Sequence, residues 1–281
     1  MVKYPEGRRA SGRRCLTRVM DATEATTLAT QYRDQVQAKQ AHRSLIDQAS
    51  ATSIEDGYVV QAAYHDLLRA TGADIAGYKV ALTSKAMQEF VGVDQPLAGA
   101  VFDDVVLASE TTVDLGAHAH LGVECEVAVS LSRDLAPGSG LHTRESIEAM
   151  VAACRPAFEL IEDRNADYGA LDPFDLVSEN AWNAAVVLGA PGDWQSIDMQ
   201  AAATRLHVNG ELVGEGRTGD ALGHPFEATA WLANHLNSQG HTLRAGEFVM
   251  TGSSVVTQFP EPGDELVFTI DGLGEVRATC S

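Results

Sequence analysis

Glu124, Glu126 and Glu159 have the types and surroundings from which a cation site can be built. Glu124 and Glu126 stand two apart in HLGVECEVAVSL, residues 120–131, and residues two apart in a β-strand share a face. Like charges that close destabilise a sheet unless water or a cation meets them. A half-solvated strand fits the same pattern, with Val123, Cys125, Val127, Val129 and Leu131 alternating against Glu124, Glu126, Ala128 and Ser130. Glu159 shifts the balance. It lies in Ala157-Phe158-Glu159-Leu160-Ile161, apolar on both sides, where an unpaired carboxylate is costly or protonates. It needs a partner: Arg155 or Arg164, a hydrogen bond, or a divalent cation shared with Glu124 and Glu126. Three carboxylates without clustered His or Cys suit a hard ion such as Mg²⁺ or Mn²⁺. Such a site leaves positions open for water and substrate.

Other residues carry weaker signals. A lone lysine such as Lys79 is ordinarily exposed and solvated. Thr251, Gly252 and Ser253 follow a strand and either let backbone N–H groups approach a ligand or form an ordinary turn. Ser84 follows the Lys79 segment. His120 and His224 are expected as packed or exposed side chains, and Asp94 as a turn residue. Cys15, Cys125, Cys154 and Cys280 form no CxxC pair, so reduced thiols in a cytoplasmic protein are expected.

These residues depend on elements legible in the pattern. Residues 22–48 are polar and helix-prone. Ser53 caps a helix with Asp56 at the capping-box position, Val60, Ala63, Tyr64, Leu67 and Leu68 on one face, and Gly72 at the end. GYKVALTS is a strand leading into the helix SKAMQEFVG, and 92–118 holds loops and short strands. Residues 122–131 form a strand. Thr143 is expected to start a helix with Ile147, Met150, Val151 and Cys154 on one face, ending by Arg155 before Pro156. FELIEDR and AWNAAVVLG read as strands separated by a loop at Asp172-Pro173. Hairpins are expected at Asn209-Gly210 and Asp271-Gly272. HPFEATAWLANHLNSQG is a helix with Pro225 near its start, and GEFVMTGS a strand. Helices first and strands later predict an α+β fold. The expected organisation is a basic disordered tail over 1–20, a small helical region over 21–90 and a β-rich catalytic domain over 91–281. A transit peptide, or Met20 as the true start, are alternatives for the tail.

The 281 residues carry a formal charge of −19. Residues 1–19 hold six basic residues and one acid, leaving 14 basic against 38 acidic residues, or −24, for the remainder. Such a body repels nucleic acid and anionic membranes. No apolar run reaches the ~20 residues of a membrane span. An anionic substrate must therefore be drawn in by a local cation.

Five blocks, in order, resemble the 2-keto-4-pentenoate hydratase and 4-oxalocrotonate decarboxylase family of the fumarylacetoacetate hydrolase superfamily. They are GYKVALTSKAMQEFVGVDQP, HLGVECEVAVSL, RPAFELIEDR, DLVSENAWNAAVVLG, and GHPFEATAWLANHL with AGEFVMTGS. The resemblance implies a mixed β-roll with a smaller helical N-terminal region, usually as a homo-oligomer. It implies a metal site on Glu124, Glu126 and Glu159 and a lysine near it at Lys79. It also implies that the stretch Asp175 to Asn180 lines the pocket. On that basis Lys79, Asp175 and Asn180 are candidate catalytic residues, and Ser84, Thr251, Gly252 and Ser253 candidate substrate-binding residues. The chain has Ser178-Glu179-Asn180 where the family often has Ala-Asp-Asn, and a bulky Trp182 just after.

The implied activity is metal-dependent addition of water to a 2-hydroxy-2,4-dienoate or its 2-oxo tautomer, giving a 4-hydroxy-2-oxo acid, in aromatic or steroid catabolism. A metal ion acting as a Lewis acid on the 2-oxygen stabilises the enolate that must form, and Lys79 offsets the negative charge. Decarboxylation of 4-oxalocrotonate is the first alternative, and a second substrate carboxylate would want a further cation. Hydrolysis of an acylpyruvate would need a water-activating His–Glu pair, for which His118 or His120 with Glu110 is conceivable. A non-catalytic partner subunit should have lost a ligand, whereas all three glutamates and Lys79 are kept. Association with a pathway decarboxylase or aldolase is a further expectation.

Overall fold

The computed structural model describes residues 20–281. The expected basic tail lies outside the described residues, except for Met20.

Two helices come first. α1 (Ala22–Gln37) starts at Asp21, whose side chain accepts from the Glu24 N–H. α2 (Ile54–Arg69) starts at Ser53 with the full Ser53–Asp56 capping box that the spacing predicts. They bury Leu28, Tyr32, Val60 and Tyr64 together with Phe174 from much later in the chain.

The elements that follow are β1 (Ile75–Ala81), α3 (Lys85–Val91), β2 (Leu97–Phe102), β3 (Val106–Ala108), β4 (Thr111–Val113), β5 (Leu121–Leu131) and α4 (Arg144–Glu148). Next are β6 (Val151–Glu162), α5 (Pro173–Ser178), β7 (Asn183–Leu188), β8 (Ala203–Val208) and β9 (Glu211–Arg217). The chain ends with α6 (Pro225–Ser238), β10 (Phe248–Ser253), β11 (Glu265–Ile270) and β12 (Gly274–Cys280). A seven-stranded sheet runs β2-β1-β10-β5-β6-β7-β3, and a five-stranded sheet runs β4-β12-β11-β8-β9. Both contain parallel and antiparallel pairs, as β1–β10 and β12–β4 are parallel. The fold is the expected α+β arrangement. β1, however, lies inside the large sheet between β2 and β10. The break between helical and sheet parts therefore precedes residue 75 instead of falling near 90. Among the described residues no helix is long and apolar enough to cross a membrane.

The expected helix from Thr143 to Arg155 stops at Glu148. Val151 to Glu162 is strand instead, paired along nearly the whole of β5. Those ladder bonds and the burial of Cys154 outweigh the helical periodicity of Met150, Val151 and Cys154. Pro156 is tolerated within the strand because β7 ends at Leu188, opposite Ala157. The Pro156 carbonyl accepts from Gly189 just beyond that end, so the missing N–H lies where no ladder bond is needed. Asp172-Pro173, expected as a loop, is the N-cap and first residue of α5.

β5 and β6 bear the site. Val123, Cys125, Val127, Val129 and Leu131 face the main core with Phe226, Leu232 and Phe268. The opposite face is mostly buried too: Glu126 and Ala128 are buried, and Glu124 and Ser130 are part-exposed. It is therefore not an ordinary solvated face, and the register sets Glu124 directly across from Glu159.

Candidate metal centre and active site

Glu124, Glu126 and Glu159 each offer a carboxylate oxygen, and these oxygens lie within 4.8 Å of one another. One oxygen of each is held by the protein. Glu124 Oε1 accepts from the Thr257 hydroxyl at 2.9 Å. Glu126 Oε2 accepts from the Gly252 N–H at 2.7 Å. Glu159 Oε1 accepts from the Asn183 amide at 2.9 Å and from Lys79 Nζ at 3.1 Å. The other oxygens of Glu126 and Glu159 are buried without a hydrogen-bond partner among the described residues. Orphaned buried carboxylate oxygens are expensive. Here they belong to carboxylates that cluster, and three clustered carboxylates are what a hard divalent ion satisfies. Burial, then the neighbouring glutamates, pushes the Glu126 carboxyl well above its ordinary range. Burial also raises Glu159, against the pull of Lys79. Neither arginine offered as a partner for Glu159 takes that role: Arg164 pairs with Glu179.

Lys79 is buried and sits on β1. Burial disfavours its charge, but Glu159, Glu124 and Glu126 outweigh that and hold it above the ordinary lysine value. Two of its three ammonium protons are spoken for, by Glu159 and by the Ala181 carbonyl at 3.0 Å. Lys79 also lines a cavity of about 380 Å³, together with Glu124, Ser84, Gly252 and Ser253.

The Ala181 carbonyl is delivered by an unusual turn. Asn180, Ala181 and Trp182 have φ of 57°, 47° and 61°, a left-handed run that L-residues adopt at a cost of roughly 1–2 kcal/mol each. Asn180 holds it. Its amide accepts from the Ala100 N–H at 2.7 Å, donates to the Ala100 carbonyl at 2.8 Å, and meets His65 Nε2 at 2.8 Å. β2 is the sheet edge, so Asn180 satisfies backbone groups that lack a strand partner. Gly99 makes room, since a Cβ there would come 2.7 Å from the Asn180 carbonyl oxygen and 3.1 Å from Lys79 Cδ.

The structure thus gathers Glu124, Glu126, Glu159, Lys79, Ser84, Gly252 and Ser253. It places three candidates elsewhere. Asp175 is buried under α1, accepting from the Tyr32 hydroxyl and from Leu45 N–H, and does not face the cavity. Asn180 stands behind the turn, and it is Leu176, Ala181 and Trp182 of this stretch that line the cavity. Thr251 points into the sheet, donating to the Val127 carbonyl at 2.9 Å. The conceived pairing of His118 or His120 with Glu110 does not form. His118 meets Glu162 at 2.9 Å and His120 meets Asp163 at 2.6 Å, while Glu110 is held by its own N–H to the Arg277 carbonyl. His224 caps α6. Sequence reasoning missed Thr257, Asn183 and the Ala181 carbonyl. Only Asn183, a polar residue opening an apolar strand, carried a local signal.

Residues 58–281 match the family described as fumarylacetoacetate (FAA) hydrolase C-terminal, and the chain belongs to that family. A 2-keto-4-pentenoate hydratase of Burkholderia vietnamiensis is 35% identical over 223 residues, covering 79% of this chain and 84% of that protein. A 4-oxalocrotonate decarboxylase of Pseudomonas putida is 30% identical over 268 residues, covering 94% and 99%. The solved structure of 4-oxalocrotonate decarboxylase from Pseudomonas putida G7, complexed with magnesium and adipate, superposes with a TM-score of 0.88 at 27% identity, covering 94% of this chain and all of that one.

Proposed function

We propose that this chain is a divalent-cation-dependent hydro-lyase, adding water to a 2-hydroxy-2,4-dienoate through its 2-oxo tautomer to give a 4-hydroxy-2-oxo acid. The observation that carries this reading is the convergence of three glutamates beside Lys79, at a cavity that Lys79 and Glu124 line and whose lining, among the described residues, holds no second Lys or Arg. Hydratase relatives at 35% and 33% identity support it. Glu124, Glu126 and Glu159 would hold Mg²⁺ or Mn²⁺, which supplies Lewis acidity towards the oxygens of an α-keto acid. Thr257, Gly252 and Asn183 each hold one oxygen of a glutamate and so fix the orientation of the carboxylates. The free Lys79 proton donates to the substrate carboxylate or 2-oxygen. Leu176, Trp182 and Ile161 exclude bulk water and strengthen that donation.

Decarboxylation of 4-oxalocrotonate is the second reading, favoured by the decarboxylase superposition. Its substrate has two carboxylates. The obvious further cation, Lys85, is engaged with Gln88 and the Asp94 carbonyl and does not line the cavity. Buried free cysteines at 125, 154 and 280 support a reducing, cytoplasmic setting. Exposed Leu212 and Val213 on edge strand β9 support a homo-oligomer. Pathway association with a decarboxylase or aldolase belongs to the same reading.

The test is incubation of the Mg²⁺-loaded protein with 2-hydroxypenta-2,4-dienoate and with 4-oxalocrotonate, following ultraviolet absorbance and carbon dioxide. Consumption of the first without gas release is expected, with loss of turnover in Lys79→Met. Release of carbon dioxide from the second would replace hydration with decarboxylation.

A further inference from the structure

The cavity lining is chemically uneven, and few of its side chains can donate to a carboxylate. Besides Lys79 these are the hydroxyls of Thr83 and Ser84, next to Gly252, whose Cβ position Thr83 occupies, and the Trp182 indole N–H, which is buried without a partner among the described residues. The other lining hydroxyls have spent their protons. Tyr168 donates to Asp163, Thr257 to Glu124, Ser253 to the Val255 carbonyl, and Ser254 to Thr204. Among the described residues the only charged side chains on the lining are Lys79 and Glu124. Much of the remaining lining is apolar, with Leu82, Met87, Leu171, Trp182, Val255 and Val256. Met87 and Val256 are 38% and 81% exposed and form the mouth.

Resting on the hydratase reading of the same site, we propose that its substrate carries an uncharged apolar substituent beyond C5, alkyl or aryl, which runs from the glutamates to the mouth between Met87 and Val256. A five-carbon acid leaves those walls uncovered. A tail ending in a carboxylate would press an anion against largely apolar walls whose described residues offer no cation besides Lys79. An unpaired charge moved out of water is strongly disfavoured, so the walls select against dicarboxylates by repulsion as well as for apolar tails by burial.

Binding and turnover separate this proposal from the reading beneath it. Calorimetry on the Mg²⁺-loaded full chain uses pyruvate, 2-oxooctanoate and 2-oxooctanedioate as probes. At ~0.8 kcal/mol per buried methylene and tenfold per 1.4 kcal/mol, a few buried methylenes should make 2-oxooctanoate bind at least about tenfold tighter than pyruvate. The dioate should bind at least about tenfold more weakly than the monoacid. Val256→Arg, at an exposed position, should close most of that second gap. Equal binding of pyruvate and 2-oxooctanoate, or a wild-type preference for the dioate, overturns the proposal. Turnover of 2-hydroxyocta-2,4-dienoate tests the hydratase reading separately: the expected binding order without hydration would leave the apolar wall standing and remove the assigned reaction.

Discussion

Asn180→Ala is expected to damage the site without touching its cavity. The side chain bonds the Ala100 N–H at 2.7 Å and the Ala100 carbonyl at 2.8 Å, both buried on the edge strand β2. Truncation strands both groups, at about 1–3 kcal/mol each. Alanine is also worse than asparagine at a φ of 57°, by a further ~1 kcal/mol. The sum is about 3–7 kcal/mol, a large share of a total stability of order 5–15 kcal/mol. Urea unfolding followed by circular dichroism, at fixed saturating Mg²⁺, reads this as a lower midpoint with unchanged slope. Asn180→Asp keeps an acceptor for the Ala100 N–H but loses the donor to the carbonyl, and should fall between wild type and alanine. A shift below about 1 kcal/mol for Asn180→Ala would refute the argument that this side chain sustains the left-handed turn.

Gly99→Ala should cut kcat more than tenfold, because its methyl would press on the Asn180 carbonyl oxygen and the Lys79 side chain; steady-state kinetics beside a melting curve checks it. Burial holds His65, His224 and His235 near a pKa of about 4 rather than 6.5. The unfolded chain therefore binds more protons between about pH 4 and 6.5, and stability rises with pH across that window. Urea midpoints from pH 7 to 4.5 should fall, and His235→Gln should flatten the fall; an unchanged slope would show that His235 is not among the protons involved.

Much of this was readable from the sequence because local rules and burial agreed. The Ser53–Asp56 box, the Asn209-Gly210 turn and the alternation along β5 each specify one geometry. The three glutamates were found because Glu159 sits in an apolar strand where a bare charge cannot stay. The failures share a cause. The helix beyond Glu148 lost to pairing with β5, a partner some twenty residues earlier that periodicity ignores. Asp175 and Asn180 were assigned to the pocket through resemblance, yet their partners, Tyr32, Leu45 and Ala100, lie far away in sequence. Thr257 is equally remote from Glu124. A residue's distance along the chain tells nothing of such contacts until the sheet register is known.

The central claim is that three carboxylates form one cation site. Titration of Mn²⁺ followed by electron paramagnetic resonance, on wild type and on Glu159→Gln, tests it most directly. The account predicts one tight site per chain, competed by Mg²⁺, and at least about 100-fold weaker binding in the variant. Equal Mn²⁺ affinity in both proteins would contradict it.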